Sequence, residues 1–215
     1  MLSMTTPAVP AFSLSILPLS KGNVSSLSSA SLLLPERDIR FLAGDRMYKL
    51  GNGDVFLLLP HTPAYIYPNI EAACGLRIDL SADALRDLSP ALLLAAANGG
   101  AAFCPRTGEA ALLPLATATL LESDVLSLFT LLSVITRGEN VTHLRECPLP
   151  RSLRRALLLL YEHPDAPADT EALALRCDVS QSTLLRLFRD LVGITPSAWL
   201  RLVKDARAAR SPKAK

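Results

Sequence analysis

The residues Cys177-Asp178-Val179-Ser180 leave almost no chain between two short amphipathic segments, and that brevity constrains the fold more than any other feature of the sequence. Upstream, DTEALALRC sets Leu173, Ala174 and Cys177 on one side of a helix that Asp169 or Thr170 can cap. Downstream, VSQSTLLRLF repeats Val179, Leu184, Leu187 and Phe188 at the helical period, which turns Gln181, Ser182, Leu185, Arg186 and Arg189 away from that face. Ser180 stands where its hydroxyl accepts from a first-turn amide, so the second helix starts at about Gln181. Helices this close in sequence cannot lie antiparallel. They cross at a large angle, to which the small Ala174 is suited, as in a helix-turn-helix that offers its second helix to the major groove of DNA. Periodicity by itself fits a helical hairpin in any small α domain equally well.

A longer pattern separates the two readings. From Leu173 to Ala208 the run LALRCDVSQSTLLRLFRDLVGITPSAWLRLVKDARA resembles the first helix-turn-helix of the AraC/XylS family of transcription regulators. It carries the Leu173-Ala174 pair, Ser180 at the helix cap, Leu184, Leu187-Phe188, Gly193, Ile194, Thr195-Pro196 and Trp199 in register. RRALLLLYEHPDAPADT before it resembles the helix and loop that open that domain. Two features depart from the pattern. The turn position usually held by Gly is Asp178, which tolerates a left-handed backbone better than most residues. The second helix-turn-helix usual in the family has no counterpart before SPKAK, so the unit is expected to be truncated relative to the family.

The resemblance implies residue roles. Ser182, Leu185 and Arg186 occupy positions from which family members reach bases, and Gln181 and Arg189 are candidates for backbone or neighbouring contacts. Arg186 suits a guanine edge, because a guanidinium bonds it in bidentate fashion; Leu185 offers an apolar contact, as to a thymine methyl. The bland alternative for Arg186 is a solvated helix charge. Leu184, Leu187, Phe188, Ile194 and Trp199 are expected in the core.

Charge is distributed to match. Residues 151–215 hold 12 Lys and Arg against 7 Asp and Glu, a balance of +5, whereas residues 1–150 hold 10 against 13, a balance of −3. The basic share sits with the helix-turn-helix, as a phosphate-facing module requires, although solvated basic surfaces are common.

The first half reads differently. FSLSILPL, SSASLLLP, RFLAGDRMYKL and DVFLLLP are short strand-like segments separated by Gly, Asn and Pro, and Asn52-Gly53 is a hairpin-type turn. Successive short strands predict a sandwich or small barrel. After Asp79, SADALRDLSPALLLAAANGG and LLESDVLSLFTLLSVITRG read as helices with Ser81 and Ser123 or Asp124 as caps, and Pro148 and Pro150 mark a boundary. The fold class expected is α+β: a strand-rich region over 1–80, a helical and dimerising region over 81–147, and an all-α helix-turn-helix domain over 148–215. Regulators of this kind carry an N-terminal cupin-like barrel, and KLGNGDVFLLLPHTPAYIYP resembles its hairpin, which implies a small-molecule or protein effector at the N-terminal region. Val125, Leu128, Phe129 and Leu132 share a face, from which a homo-oligomer is expected.

Other classes find little support. Cys74, Cys104, Cys147 and Cys177 show no zinc spacing, and read as thiols in a reducing cytosol. His61 is the one histidine in the strand region, too few for a metal-binding cupin, and there is no GxSxG, P-loop or GxGxxG, so neither an enzyme nor a cofactor is expected. The N-terminus lacks a signal-peptide pattern, and Leu112–Leu121 is short and broken by Pro114, so no membrane association is expected and the location read is cytoplasmic. The resulting expectation is a sequence-specific DNA-binding regulator acting on double-stranded DNA. The competing one is a protein-interaction modulator that pairs with a full-length regulator.

Overall fold

The computed structural model describes residues 14–19, 22–25, 29–51, 54–67, 75–81, 101–103, 131, 147–165 and 169–210. Among these residues nine strands come first: β1 (Leu14–Leu19), β2 (Gly22–Asn23), β3 (Ser29–Pro35), β4 (Ile39–Ala43), β5 (Arg46–Leu50), β6 (Val55–Leu58), β7 (Ala64–Tyr67), β8 (Gly75–Ser81) and β9 (Ala101–Phe103). They form a five-stranded sheet in the order β1-β8-β3-β6-β9 and a four-stranded sheet in the order β2-β7-β4-β5. Every pairing in both is antiparallel.

The two sheets close on one apolar layer. Leu19, Leu33, Phe56 and Leu58 from the first meet Ile39, Phe41, Tyr48, Leu50 and Ile66 from the second. The Phe41 and Phe56 rings meet edge to face, 4.5 Å between centroids, an arrangement that aromatic quadrupoles favour. Ser31, Arg77 and Asp79 lie on the face shared with Leu33; Arg77 Nε donates to Asp79 Oδ1 at 2.7 Å and Ser31 Oγ donates to the same oxygen.

The strand-like segments of the sequence became β1, β3, β4, β5 and β6. Asp54 N donates to Gly51 O at 3.1 Å across the turn expected at Asn52-Gly53, but β5 and β6 do not pair as a hairpin. Asn52-Gly53 lies outside the described residues, but its flanking strands pair elsewhere, β5 with β4 and β6 with β3 and β9. The chain therefore passes from one sheet to the other between β5 and β6, and again between β6 and β7. The tight hairpin is instead Ala43-Gly44-Asp45-Arg46, where Gly44 supplies φ +62°. Ser81, expected as a helix cap, ends β8. The two middle helices and the face of Val125, Leu128, Phe129 and Leu132 lie outside the described residues, save that Leu131 is helical and buried.

The described residues after 147 form α1 (Arg151–Glu162), α2 (Thr170–Arg176), α3 (Gln181–Leu187), continued by a π-helical turn over Phe188–Val192, and α4 (Pro196–Arg210). Pro150 stands at the start of α1, where its missing N–H costs nothing. Leu153, Ala156, Leu157 and Leu160 make the buried stripe of α1, and Trp199, Leu200 and Val203 that of α4. These join Ala174, Cys177, Leu184, Phe188 and Val192 in one core.

That core does not stop at the helices. Leu42 and Met47 of the four-stranded sheet belong to it and Tyr65 packs against it, while Cys147 N donates to Met47 O at 2.9 Å. Helices thus cover the outer face of β4 and β5, which is why Phe41, Leu42 and Ala43 are all buried rather than alternating. No helix of the described residues is long and apolar enough to cross a membrane.

Candidate nucleic-acid interface

The link between α2 and α3 is built by backbone bonds. Asp178 N donates to Leu175 O and Val179 N to Ala174 O, both at 3.1 Å, so the last carbonyls of α2 are satisfied by the turn itself. This reversal requires a left-handed residue, and Asp178 supplies it with φ +58°. Asp169 caps α2 by accepting from Glu171 N at 3.0 Å, and Ser180 caps α3 by accepting from Thr183 N at 3.2 Å.

With α3 so started, its register follows. Leu184 and Phe188 are fully buried, Val179 and Leu187 partly, so the inner face is the one that the apolar spacing predicts. Gln181, Ser182, Leu185, Arg186 and Arg189 are all exposed on the remaining surface. Arg186 has no ion-pair or hydrogen-bond partner among the described residues and is free to meet a ligand. Ser182 Oγ lies 3.0 Å from the capping Ser180 Oγ, which ties it partly to the helix start. Leu185 is 40% exposed, an apolar side chain in water on the outward face.

Arg189 differs from the others. Its Nε donates to Asp190 Oδ1 at 2.9 Å, an exposed pair that a phosphate would have to displace or share. Such pairs are worth little in water, so the guanidinium stays available at small cost. In the sequence Asp190 is marked only by its adjacency to Arg189, and nothing there marks Leu175, which is 78% exposed on α2.

The π turn ends at Gly193, which has φ +84° and whose N donates to Phe188 O at 2.8 Å. Thr195 Oγ1 then accepts from Ala198 N at 3.2 Å, opening α4 behind Pro196. Trp199 is wholly buried, as expected of it.

Both described thiols are free, and their ionisation is suppressed. Burial pushes the Cys177 thiol up, against the lowering effect of Arg155 and Arg176; burial likewise raises Cys147, against Arg40 and Lys49. His61 sits in the turn between β6 and β7, and His163 is exposed at the end of α1; His143, Cys74 and Cys104 lie outside the described residues. No group of three metal-ligating side chains occurs among the described residues. His61, Tyr161, Arg207 and Arg210 line a cleft of about 230 Å³ between the strands and α4, a juxtaposition without a signal in the sequence.

No family model matches this chain, and no curated protein does. Among solved structures it is similar to an apo variant of ToxT from Vibrio cholerae, at 9% identity over 89% of this chain and 97% of that one, with a TM-score of 0.44. It is also similar to the AraC-like transcriptional activator CuxR, at 15% identity over 85% of this chain and 68% of that one, with a TM-score of 0.39.

Proposed function

We propose that the chain is a sequence-specific DNA-binding transcription regulator of AraC-like type, in which α2, the turn at Asp178 and α3 form a helix-turn-helix and α3 enters the major groove. The observation that carries this reading is the outward face of α3: Arg186, exposed and unpaired among the described residues, on a helix whose opposite face is locked by Leu184 and Phe188. Arg186 reads a base edge, Ser182 and Leu185 adjust the fit, and Gln181 and Arg189 hold the backbone.

Under this reading, 1–80 is a cupin-like regulatory region, 81–147 dimerises, and 148–215 binds DNA in the cytoplasm. One module makes few phosphate contacts, so a homo-oligomer brings a second to a half-site roughly 34 Å away. An effector, small molecule or protein, acts at the N-terminal region. For a small polar molecule, the Arg77, Asp79 and Ser31 cluster among apolar neighbours offers donors and acceptors.

Enrichment of genomic fragments on the full chain, followed by anisotropy with the selected duplex and a scrambled one at two salt concentrations, tests the proposal. Tighter binding to the selected duplex at both salts is expected. Equal binding to both would overturn sequence-specific recognition. A second reading, pairing with another regulator, is favoured by Leu175: a leucine 78% exposed on α2 is a ready apolar contact for protein rather than phosphate. Absence of any DNA binding would move that reading to the front.

A further inference from the structure

Besides the shared core, the four-stranded sheet reaches the helical unit at Gly44 and at Tyr67. At one, the Gly44 hairpin lies against the Tyr161 ring, 3.6 Å from where a β-carbon at Gly44 would stand. At the other, the last residue of β7 meets the end of the groove-facing helix. A β-carbon at Gly193 would stand 2.6 Å from Tyr67 Cε2 and closer still to Cδ2, so the Tyr67 ring rests directly on the Gly193 backbone.

Gly193 is thus constrained twice. Its φ of +84° disfavours any side chain, and the space a side chain would take is filled by Tyr67. The same residue closes the π turn through its bond to Phe188 O. Arg189 lies four residues earlier and Arg186 seven, roughly 6 and 10 Å along a helical rise. The inner face of α3 is held by Leu184 and Phe188 within the helical core. Its C-terminal end is held from outside that core, by a strand that pairs with β4 through Tyr67 and Arg40.

We infer that Tyr67 is a positioning residue: seated on Gly193, it fixes the C-terminal end of the groove-facing helix to the N-terminal sheet, so that the sheet sets how Arg186 is presented. The inference rests on the groove-binding reading for its consequence on DNA, but the mechanical link stands on the contact alone. A shift of β7 is transmitted by Tyr67 directly to the π turn, beside the contact that Tyr65 of the same strand makes with the helical core. Tyr67 touches no DNA in this scheme; it acts through Gly193.

Four full-length variants test it: Tyr67→Ala, Tyr67→Phe, Gly193→Ala and the Tyr67→Ala/Gly193→Ala double. Tyr67→Ala should weaken binding to the selected duplex by about tenfold while the buried Trp199 emission stays as in the parent. Tyr67→Phe, which keeps the ring, should bind as the parent does. Gly193→Ala should weaken binding in the parent background and cost much less in the Tyr67→Ala background, because the overlap is then gone and only backbone strain remains. Hydrogen exchange at the amides of 181–193 should quicken in Tyr67→Ala relative to those of 153–160. Parent-like affinity and exchange in Tyr67→Ala, or equal cost of Gly193→Ala in both backgrounds, overturns the inference. If the parent binds no duplex, the groove reading fails by itself, and the exchange comparison alone decides the link. If Tyr67→Ala does not fold, Gly193→Ala with its exchange profile reads the same contact from the other side.

Discussion

Arg155 Nη1 donates to Asp178 Oδ2 at 2.9 Å, so the residue that takes the left-handed turn between α2 and α3 is also tied to α1. The position asks for a backbone that glycine adopts freely; the carboxylate adds a contact that glycine cannot. Both partners are exposed, 54% and 83% at the side chain, which limits the pair to a few tenths of a kcal/mol, about 1 at most.

Asp178→Gly should therefore leave stability within about 0.5 kcal/mol of the parent, since relief of the turn offsets the lost pair and added chain entropy. Asp178→Val, which keeps neither, should destabilise by about 1–2 kcal/mol. Urea unfolding followed by the single Trp199 measures both. A loss in Asp178→Gly as large as that in Asp178→Val would show that the pair, which both variants lack, and not the backbone, governs the turn.

Ser180→Ala should cost about 1 kcal/mol, because Thr183 N loses its acceptor at the start of a helix of only 7 residues. Ser180→Asp, which restores an acceptor, should recover most of it. The same urea titration checks the pair of variants; an Asp variant as weak as Ala would argue that the neighbouring hydroxyls, not the amide, depend on Ser180.

Packing separates two residues that the sequence treats alike. Phe188 is fully buried and Leu187 only partly, so Phe188→Ala should cost about 3–5 kcal/mol and Leu187→Ala clearly less. The apolar period places both on the inner face; what it does not contain is how far each projects into the space that Trp199 and Val192 fill. Local signals were legible where they act locally: the Ser180 cap, the Asp178 turn and the buried positions of α3 were all readable, because each depends on residues within one or two turns. Sheet membership was not. Asn52-Gly53 has hairpin chemistry, yet whether two flanking strands pair or part is decided by Leu33 and Phe56 on one sheet and Phe41 on the other, residues far apart in sequence. Tyr67 likewise carries no signal of its own, since its partner Gly193 is brought to it only by the docking of sheet on helices.

Alkaline pH should weaken the fold through its thiols. Burial raises the folded-state ionisation of Cys177 and Cys147 above the ordinary thiol value of 9.0, so the unfolded chain loses these protons first. Their contribution is fully present below that value and is lost as pH rises through the folded value. Stability of the parent should fall more steeply above pH 9 than that of Cys147→Ser/Cys177→Ser, measured as urea midpoints. Parallel slopes would remove the thiols from the explanation.

The two arginines on the outward face of α3 should answer differently to removal. Arg186 has no partner among the described residues, and the role of base reader proposed for it predicts that Arg186→Ala weakens selected-duplex binding by about 1–3 kcal/mol and relaxes preference at one base position. Arg189 is already paired with Asp190, so under the proposed function a phosphate would share it; Arg189→Ala should weaken all sequences alike and flatten the salt dependence by about one unit of slope or less. Asp190→Ala frees the guanidinium, and should tighten binding to selected and scrambled duplexes equally. Anisotropy over a salt series with the three variants distinguishes the roles. Equal losses on both duplexes for Arg186→Ala would assign it to the backbone. No loss on either would mean that α3 stays out of the groove, and that the exposed Leu175 and Leu185 belong to a protein contact instead.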